Sequence, residues 1–218
     1  MTAESAPRVF SPPATFSGFY LIVDDSWTSR CSLIEVVHQA SEAGVKLVQY
    51  RNKTGSMKQA YAAAYALRGV AAERGMTFIV NDRCDLALAV EADGVHLGQD
   101  DLPVLLARNV VGQTMLIGVS THNPEQVRMA TEEGADYLGF GPIFSTGTKA
   151  NHDPVVGIEG LVGVRELTTL PIFAIGGIVP DSVPALRAAG ANGVAVASAI
   201  FDAVDRPRVL AHFIAQFQ

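Results

Sequence analysis

The sequence predicts an α/β fold, a single (β/α)8 barrel, on three observations. Short apolar, β-rich runs recur roughly every 20 to 35 residues, and most are followed by an amphipathic, alanine-rich stretch. The runs are near-continuously apolar rather than alternating, as parallel strands covered on both faces require. Three of the amphipathic stretches end in a related phrase, Ala43-Gly44, Gly134-Ala135-Asp136 and Gly190-Ala191-Asn192, where glycine permits a left-handed stop before the next strand. Eight such units in 218 residues suit a closed barrel, for which ~200–250 residues is ordinary. An open doubly wound sheet, with fewer strands and extra helices, is the competing architecture.

The first strand, 19–23, leads to a helix over 32–42, which stops at Ala43-Gly44 before the second strand, 46–50. A long helix over 56–74 and a strand at 77–80 follow, then a helix over 85–90 and a strand at 94–97. Pro103 opens a helix over 103–108, ahead of a fifth strand at 115–119. Asn123-Pro124 caps and opens the helix over 124–133, and the Gly134 stop precedes strand 137–140. A helix over 158–167 and a strand at 172–174 come next. Pro180-Asp181 precedes the helix over 183–189, Gly190 ends it, strand 193–197 follows, and a last helix fills the tail from Asp205. Residues 1–17, rich in Ala, Ser and Pro, read as a loose extension without the basic start and apolar stretch of a secretory signal. Residues 18–218 form the barrel domain.

Composition narrows the function classes. No apolar run approaches the ~20 residues of a membrane helix. The net charge of −6 and the scattered 16 basic residues oppose a nucleic-acid partner, as does a pI near 5.3. Cys31 and Cys84, far apart and in no CxxC pair, suit free thiols of a reducing cytoplasm better than a disulfide or a thiolate metal site. Small-molecule substrates are the expected partners, and a homo-oligomer is left open.

In a (β/α)8 barrel the chemistry sits where strands end and helices begin. The second strand runs into Gln49-Tyr50-Arg51-Asn52-Lys53, where a period of two turns Gln49, Arg51 and Lys53 to one side, toward the barrel mouth. Two cations and an amide suit an anion. The third and fourth strands end in Asn81-Asp82 and Asp100-Asp101, which could simply cap the helices that follow. Yet carboxylates on neighbouring strand ends repel unless a cation lies between them. A few hard oxygen donors, completed by water, describe a Mg²⁺ site bridged to phosphate. Ser120-Thr121-His122 end the fifth strand, and Ser145, Thr146, Gly147, Thr148 and Lys149 make a loop able to fold over an anion. Gly176-Gly177 after the seventh strand and Ala197-Ser198 after the eighth suit a phosphate monoester held by backbone amides.

Gln49-x-Arg51-x-Lys53, Asn81-Asp82, the run 92–101, Gly118-Val119-Ser120, Thr146-x-Thr148-Lys149 and Ala174-Ile175-Gly176-Gly177 together resemble the thiamine phosphate synthase family, over about residues 19–201. The resemblance implies a transferase that joins an aminopyrimidine methyl diphosphate to a thiazole phosphate, plain or carboxylated, with loss of diphosphate. It implies that Gln49, Tyr50, Arg51, Asn52, Lys53, Asn81, Ser120 and Lys149 hold the pyrimidine diphosphate, with Arg51, Lys53 and Lys149 offsetting its charge as it departs. It further implies Asp82 and Asp101 as Mg²⁺ ligands, and Thr146, Gly147, Thr148, Gly177, Ala197 and Ser198 as the thiazole phosphate contacts. Asn52 departs from the family, where many members have glutamate, and is expected to face away from Arg51 and Lys53.

His122 reads as a substrate-lining or structural histidine, and His96 as a packed imidazole with its hydrogen bonds satisfied. A thiazole tautomerase of the same fold is the nearest alternative; it does not need the charged cluster. A non-catalytic phosphate-binding barrel and a phosphosugar isomerase or epimerase are further alternatives. The first gains little from clustered carboxylates, and the second needs an acid–base pair that is not evident in the sequence.

Overall fold

The computed structural model describes residues 16–145 and 154–218. Strands β1 (Gly18–Asp24), β2 (Leu47–Arg51), β3 (Thr77–Asn81), β4 (Gly94–Leu97), β5 (Leu116–Thr121), β6 (Tyr137–Phe140), β7 (Ile172–Ile175) and β8 (Gly193–Val196) are all parallel. β8 closes onto β1, with Tyr20 opposite Ala195, so the sheet has no free edge. This is a TIM barrel, and the open-sheet alternative is set aside.

Helices α1 (Leu33–Glu42), α2 (Met57–Glu73), α3 (Cys84–Ala89), α4 (Val104–Val111), α5 (Pro124–Glu132), α6 (Gly157–Arg165) and α7 (Val183–Ala188) form the outer layer. Ser32, Ser56 and Asn123 cap α1, α2 and α5 by accepting from backbone N–H groups, which satisfies donors a helix start leaves open. Gly44, Gly134 and Gly190 have φ of 97°, 86° and 98°, the left-handed stops expected between helix and strand. Three features lie outside the sequence expectations: 3-10 turns at Asp25–Trp27 and Pro180–Ser182, and the short helix α8 (Ser198–Phe201), ahead of the last helix α9 (Arg206–Ala215). Among the described residues no helix is long and apolar enough to cross a membrane.

Two apolar layers hold the barrel together. Outward-facing strand residues such as Leu21, Val48, Phe78, Val95 and Leu138 pack under the helices. Inward-facing Tyr20, Ile22, Leu47, Ile79, Leu116, Tyr137 and Phe173, with Phe16 below them, fill the interior. Phe16 meets Tyr137 and Phe173 edge-on, at ring centroid distances of 5.1 and 5.4 Å. Burying one such ring stabilises the fold by roughly 1.5–3 kcal/mol. The filled interior leaves only the strand ends to receive a ligand. Cys31 and Cys84 are free, and burial pushes the Cys84 thiol up, away from the reactive thiolate.

Candidate active site

Residue parity along β2 decides what each member of the Gln49–Lys53 run can do. Gln49 faces inward and is 2% exposed, its Nε2 donating to Tyr20 Oη at 2.7 Å. It therefore lies inside the barrel. Tyr50 faces the helix layer and is 1% exposed, and its hydroxyl donates to Asp25 Oδ2 at 2.8 Å. The structure does not bring Tyr50 together with Gln49 and Arg51, because one residue along a strand reverses the face. Asn52 also donates to Asp25, on the Tyr50 side.

Arg51 and Lys53 are each paired with a carboxylate. Arg51 forms an ion pair with Asp24, the last residue of β1, which is 3% exposed and also accepts from Ser26 N at 2.8 Å. Sequence reasoning missed Asp24. Its signal was a charged residue ending an apolar strand, at a parity that points inward. Lys53 Nζ lies 2.5 Å from Asp82 Oδ2.

Asp82 and Asp101 come together in the fold. Burial pushes the Asp82 carboxyl above the usual carboxylate range, a hydrogen bond from Lys53 opposes this, and a hydrogen bond with Asp101 pushes it up again. Neither residue is a helix cap. The N-cap positions of α3 and α4 are Arg83 and Pro103, and neither makes a side-chain cap bond. Asp101 Oδ2 instead accepts from Gly98 N at 2.6 Å. Asp82 has φ 62°, a left-handed conformation rare outside glycine, held by its N–H donating to His96 O at 2.7 Å. The strained backbone turns the Asp82 side chain toward Lys53 and Asp101 rather than along the helix. Two hard carboxylates side by side, with the Asp82 anion disfavoured by burial and by its neighbour, fit a small divalent cation such as Mg²⁺. Among the described residues no group of three or more His, Cys, Asp or Glu is clustered, so other oxygens would complete the coordination shell.

Asn81 ends β3 on its inner face, opposite His96 in register. Ser120, half-buried on β5, places Oγ 2.9 Å from His96 Nε2, and Gln99 Nε2 donates to Ser120 O at 2.7 Å. The 5% exposed His96 imidazole is engaged at both nitrogens, with Nδ1 3.0 Å from Tyr137 Oη. His122 Nδ1 lies 2.5 Å from Gly141 O. Thr146, Gly147, Thr148 and Lys149 lie outside the described residues.

On the opposite side of the mouth the material is backbone. Gly176 and Gly177 have φ of 97° and 63°, and a Cβ on Gly177 would lie 2.6 Å from Ser145 O. Both features require glycine. Ile143 N donates to Ile175 O and Phe144 N to Gly176 O, so the segment after β6 is laced to the end of β7. Ala197 and Ser198, both half-buried, begin α8 directly above β8.

A closed parallel barrel that gathers cations, paired carboxylates and a glycine turn at the carboxyl ends of its strands defines a barrel built to hold phosphorylated ligands. Comparison with known proteins sharpens that class. The family described as thiamine monophosphate synthase matches residues 19–200, and the chain belongs to that family. It is 44% identical over 188 residues to the thiamine-phosphate synthase of Methanospirillum hungatei, covering 86% of this chain and 91% of that protein. It is 48% identical over 174 residues to the thiamine-phosphate synthase of Pelotomaculum thermopropionicum, covering 80% of each. The solved thiamine phosphate pyrophosphorylase of Pyrococcus furiosus superposes with a TM-score of 0.82 at 34% identity, over 91% of this chain and 94% of that one.

Proposed function

We propose that this protein condenses an aminopyrimidine methyl diphosphate with a thiazole phosphate to give thiamine phosphate and diphosphate. Family membership and the relatives' shared name support the activity. The observation that carries the mechanism is the convergence of Arg51, Lys53, Asp82 and Asp101 at one side of the barrel mouth.

The bond to break joins the exocyclic methylene of the pyrimidine to the diphosphate oxygen. Its electron pair leaves with diphosphate, the ring amino group stabilises the cation left behind, and the thiazole nitrogen then bonds to that carbon. No side chain need act as nucleophile. Asp82 and Asp101 would hold Mg²⁺, which when bound supplies positive charge to the departing diphosphate. Arg51, fixed by Asp24, presents a guanidinium that needs no reorganisation as charge develops. Lys53, paired with Asp82, would be placed to bind a diphosphate oxygen. We assign Lys149 to the same diphosphate on the strength of the Thr146-x-Thr148-Lys149 motif. Gln49, Asn81 and Ser120 line the pyrimidine side. Gly177, Ala197 and Ser198, with Thr146 to Thr148, receive the thiazole phosphate. Holding both reactants together can supply ~7 kcal/mol or more of the barrier. Two free cysteines and phosphorylated substrates support a cytoplasmic setting.

Incubation with both substrates and Mg²⁺ tests the reading. Thiamine phosphate and diphosphate should form in equal amounts. Diphosphate release without thiamine phosphate, or isomerised thiazole alone, would overturn it, the latter in favour of the tautomerase.

A further inference from the structure

Side chains from five strands form one hydrogen-bonded chain through the barrel interior. Gln49 Nε2 donates to Tyr20 Oη at 2.7 Å, and Tyr20 Oη lies 2.9 Å from Tyr137 Oη. Tyr137 Oη lies 3.0 Å from His96 Nδ1, and His96 Nε2 lies 2.9 Å from Ser120 Oγ. Gln49, Tyr20, Tyr137 and His96 are all buried, while Ser120 is half-buried near the upper end of β5. Position 118 is shaped around the chain. A Cβ there would lie 2.1 Å from Tyr137 Cζ and 2.5 Å from His96 Nδ1, so only glycine leaves room for the Tyr137–His96 bond.

Counting protons gives the chain a direction. Burial pushes both phenols up, so each keeps its single proton and must donate it. With Gln49 donating to Tyr20, the Tyr20 proton goes to Tyr137, and the Tyr137 proton goes to His96 Nδ1. With Nδ1 accepting from Tyr137, Nε2 is left to donate to Ser120 Oγ. The Ser120 proton is thereby turned away from His96. One end of the chain offers an acceptor, Gln49 Oε1, and the other a donor, the Ser120 hydroxyl. A ligand that donates to Ser120 or accepts from Gln49 leaves the Ser120 proton or the Gln49 carbonyl oxygen without a partner.

We propose that the Gln49–Tyr20–Tyr137–His96–Ser120 chain sets the hydrogen-bond polarity of the pyrimidine side, selecting a ring with an amino group beside a ring nitrogen over its oxo counterpart. An aminopyrimidine edge offers an N–H donor next to an acceptor nitrogen; the oxo ring offers an acceptor next to an N–H donor. A site of fixed polarity rejects the reversed pattern because its own polar groups would go unpaired. Tyr20, Tyr137 and His96 are positioning residues in this scheme, which rests on the pyrimidine reading of the site given above.

Tyr137→Phe removes the middle link and keeps the ring. Calorimetric titration, in Mg²⁺, of the methyl monophosphates of the amino and the oxo pyrimidine measures the preference without requiring turnover. The wild type should bind the amino form ~10-fold or more tightly. Tyr137→Phe should bring the two within about threefold, with the thiazole phosphate KM unchanged. A folded Tyr137→Phe that keeps the full preference, or a wild type that binds both forms equally, would overturn the inference. Tyr20→Phe gives the same test should Tyr137→Phe fail to fold. Without any variant, ¹⁵N NMR of wild-type His96 at neutral pH should show the Nε2–H tautomer, and an Nδ1–H tautomer would contradict the assigned direction. Loss of the proposed function would show separately, as a wild type that selects the amino ring yet makes no thiamine phosphate.

Discussion

The two sides of the barrel mouth are built from different materials. Beside β2, β3 and β4 stand Arg51, Lys53, Asp82 and Asp101, with Arg51 held by Asp24 and Lys53 by Asp82. Beside β7 and β8, the described segments 175–178 and 196–199 carry no charged side chain, and two glycines with positive φ shape the turn. The charged side is already paired within itself, so under the proposed function a metal and a diphosphate would enter by exchange of partners. Removing one charge there leaves another exposed to its neighbour. The glycine side works by shape and backbone dipoles, so changes act through bulk or through a new charge. The difference teaches that one barrel mouth can offer two settings of different chemistry, one charged and one of backbone.

Substitutions that strike one side and spare the other test this division. Asp82→Ala or Asp101→Ala should have the largest effect, lowering the turnover rate ~10²–10³-fold and weakening its Mg²⁺ dependence. Near-normal, metal-independent rates would remove the charged side from the mechanism. Asp24→Asn leaves Arg51 without its buried ion-pair partner. Steady-state kinetics should show about tenfold lower kcat/KM for the pyrimidine diphosphate with the thiazole phosphate KM unchanged; equal losses for both would dissolve the division. Ser198→Asp should raise the thiazole phosphate KM several-fold, by about 1 kcal/mol of like-charge repulsion, and leave the pyrimidine KM alone. An unchanged thiazole KM would move the second phosphate elsewhere. Gly177→Ala, at φ 63°, should lower thermal stability by ~1–2 kcal/mol and raise the thiazole phosphate KM only a few-fold. A drop in pyrimidine binding instead would mean that the glycine turn serves the other anion.

Most of the fold was legible because each unit carries its own signals. Continuous apolar runs mark strands buried on both faces, and Gly44, Gly134 and Gly190 mark the helix stops. The helix α8 was not legible, since four residues contain barely one turn of periodicity. In the site, types and spacing pointed to Arg51, Lys53, Asp82 and the pair Asp100-Asp101, and the family resemblance singled out Asp101. Parity, applied strictly, would also have turned Tyr50 away from Gln49. What spacing could not give is pairing across the barrel. Tyr20 and Tyr137 are 117 residues apart in sequence and share a hydrogen bond, and Asp24 reaches Arg51 only through the β1–β2 register. Their one trace in the sequence is a polar group at an inward-facing position of an otherwise apolar strand.

Thiamine phosphate formation by the wild-type protein, measured before and after chelation with EDTA and again on Mg²⁺ addition, tests most directly whether a metal and the paired carboxylates of the charged side release the diphosphate. Product should disappear on chelation and return with Mg²⁺. Undiminished synthesis in EDTA would contradict the account.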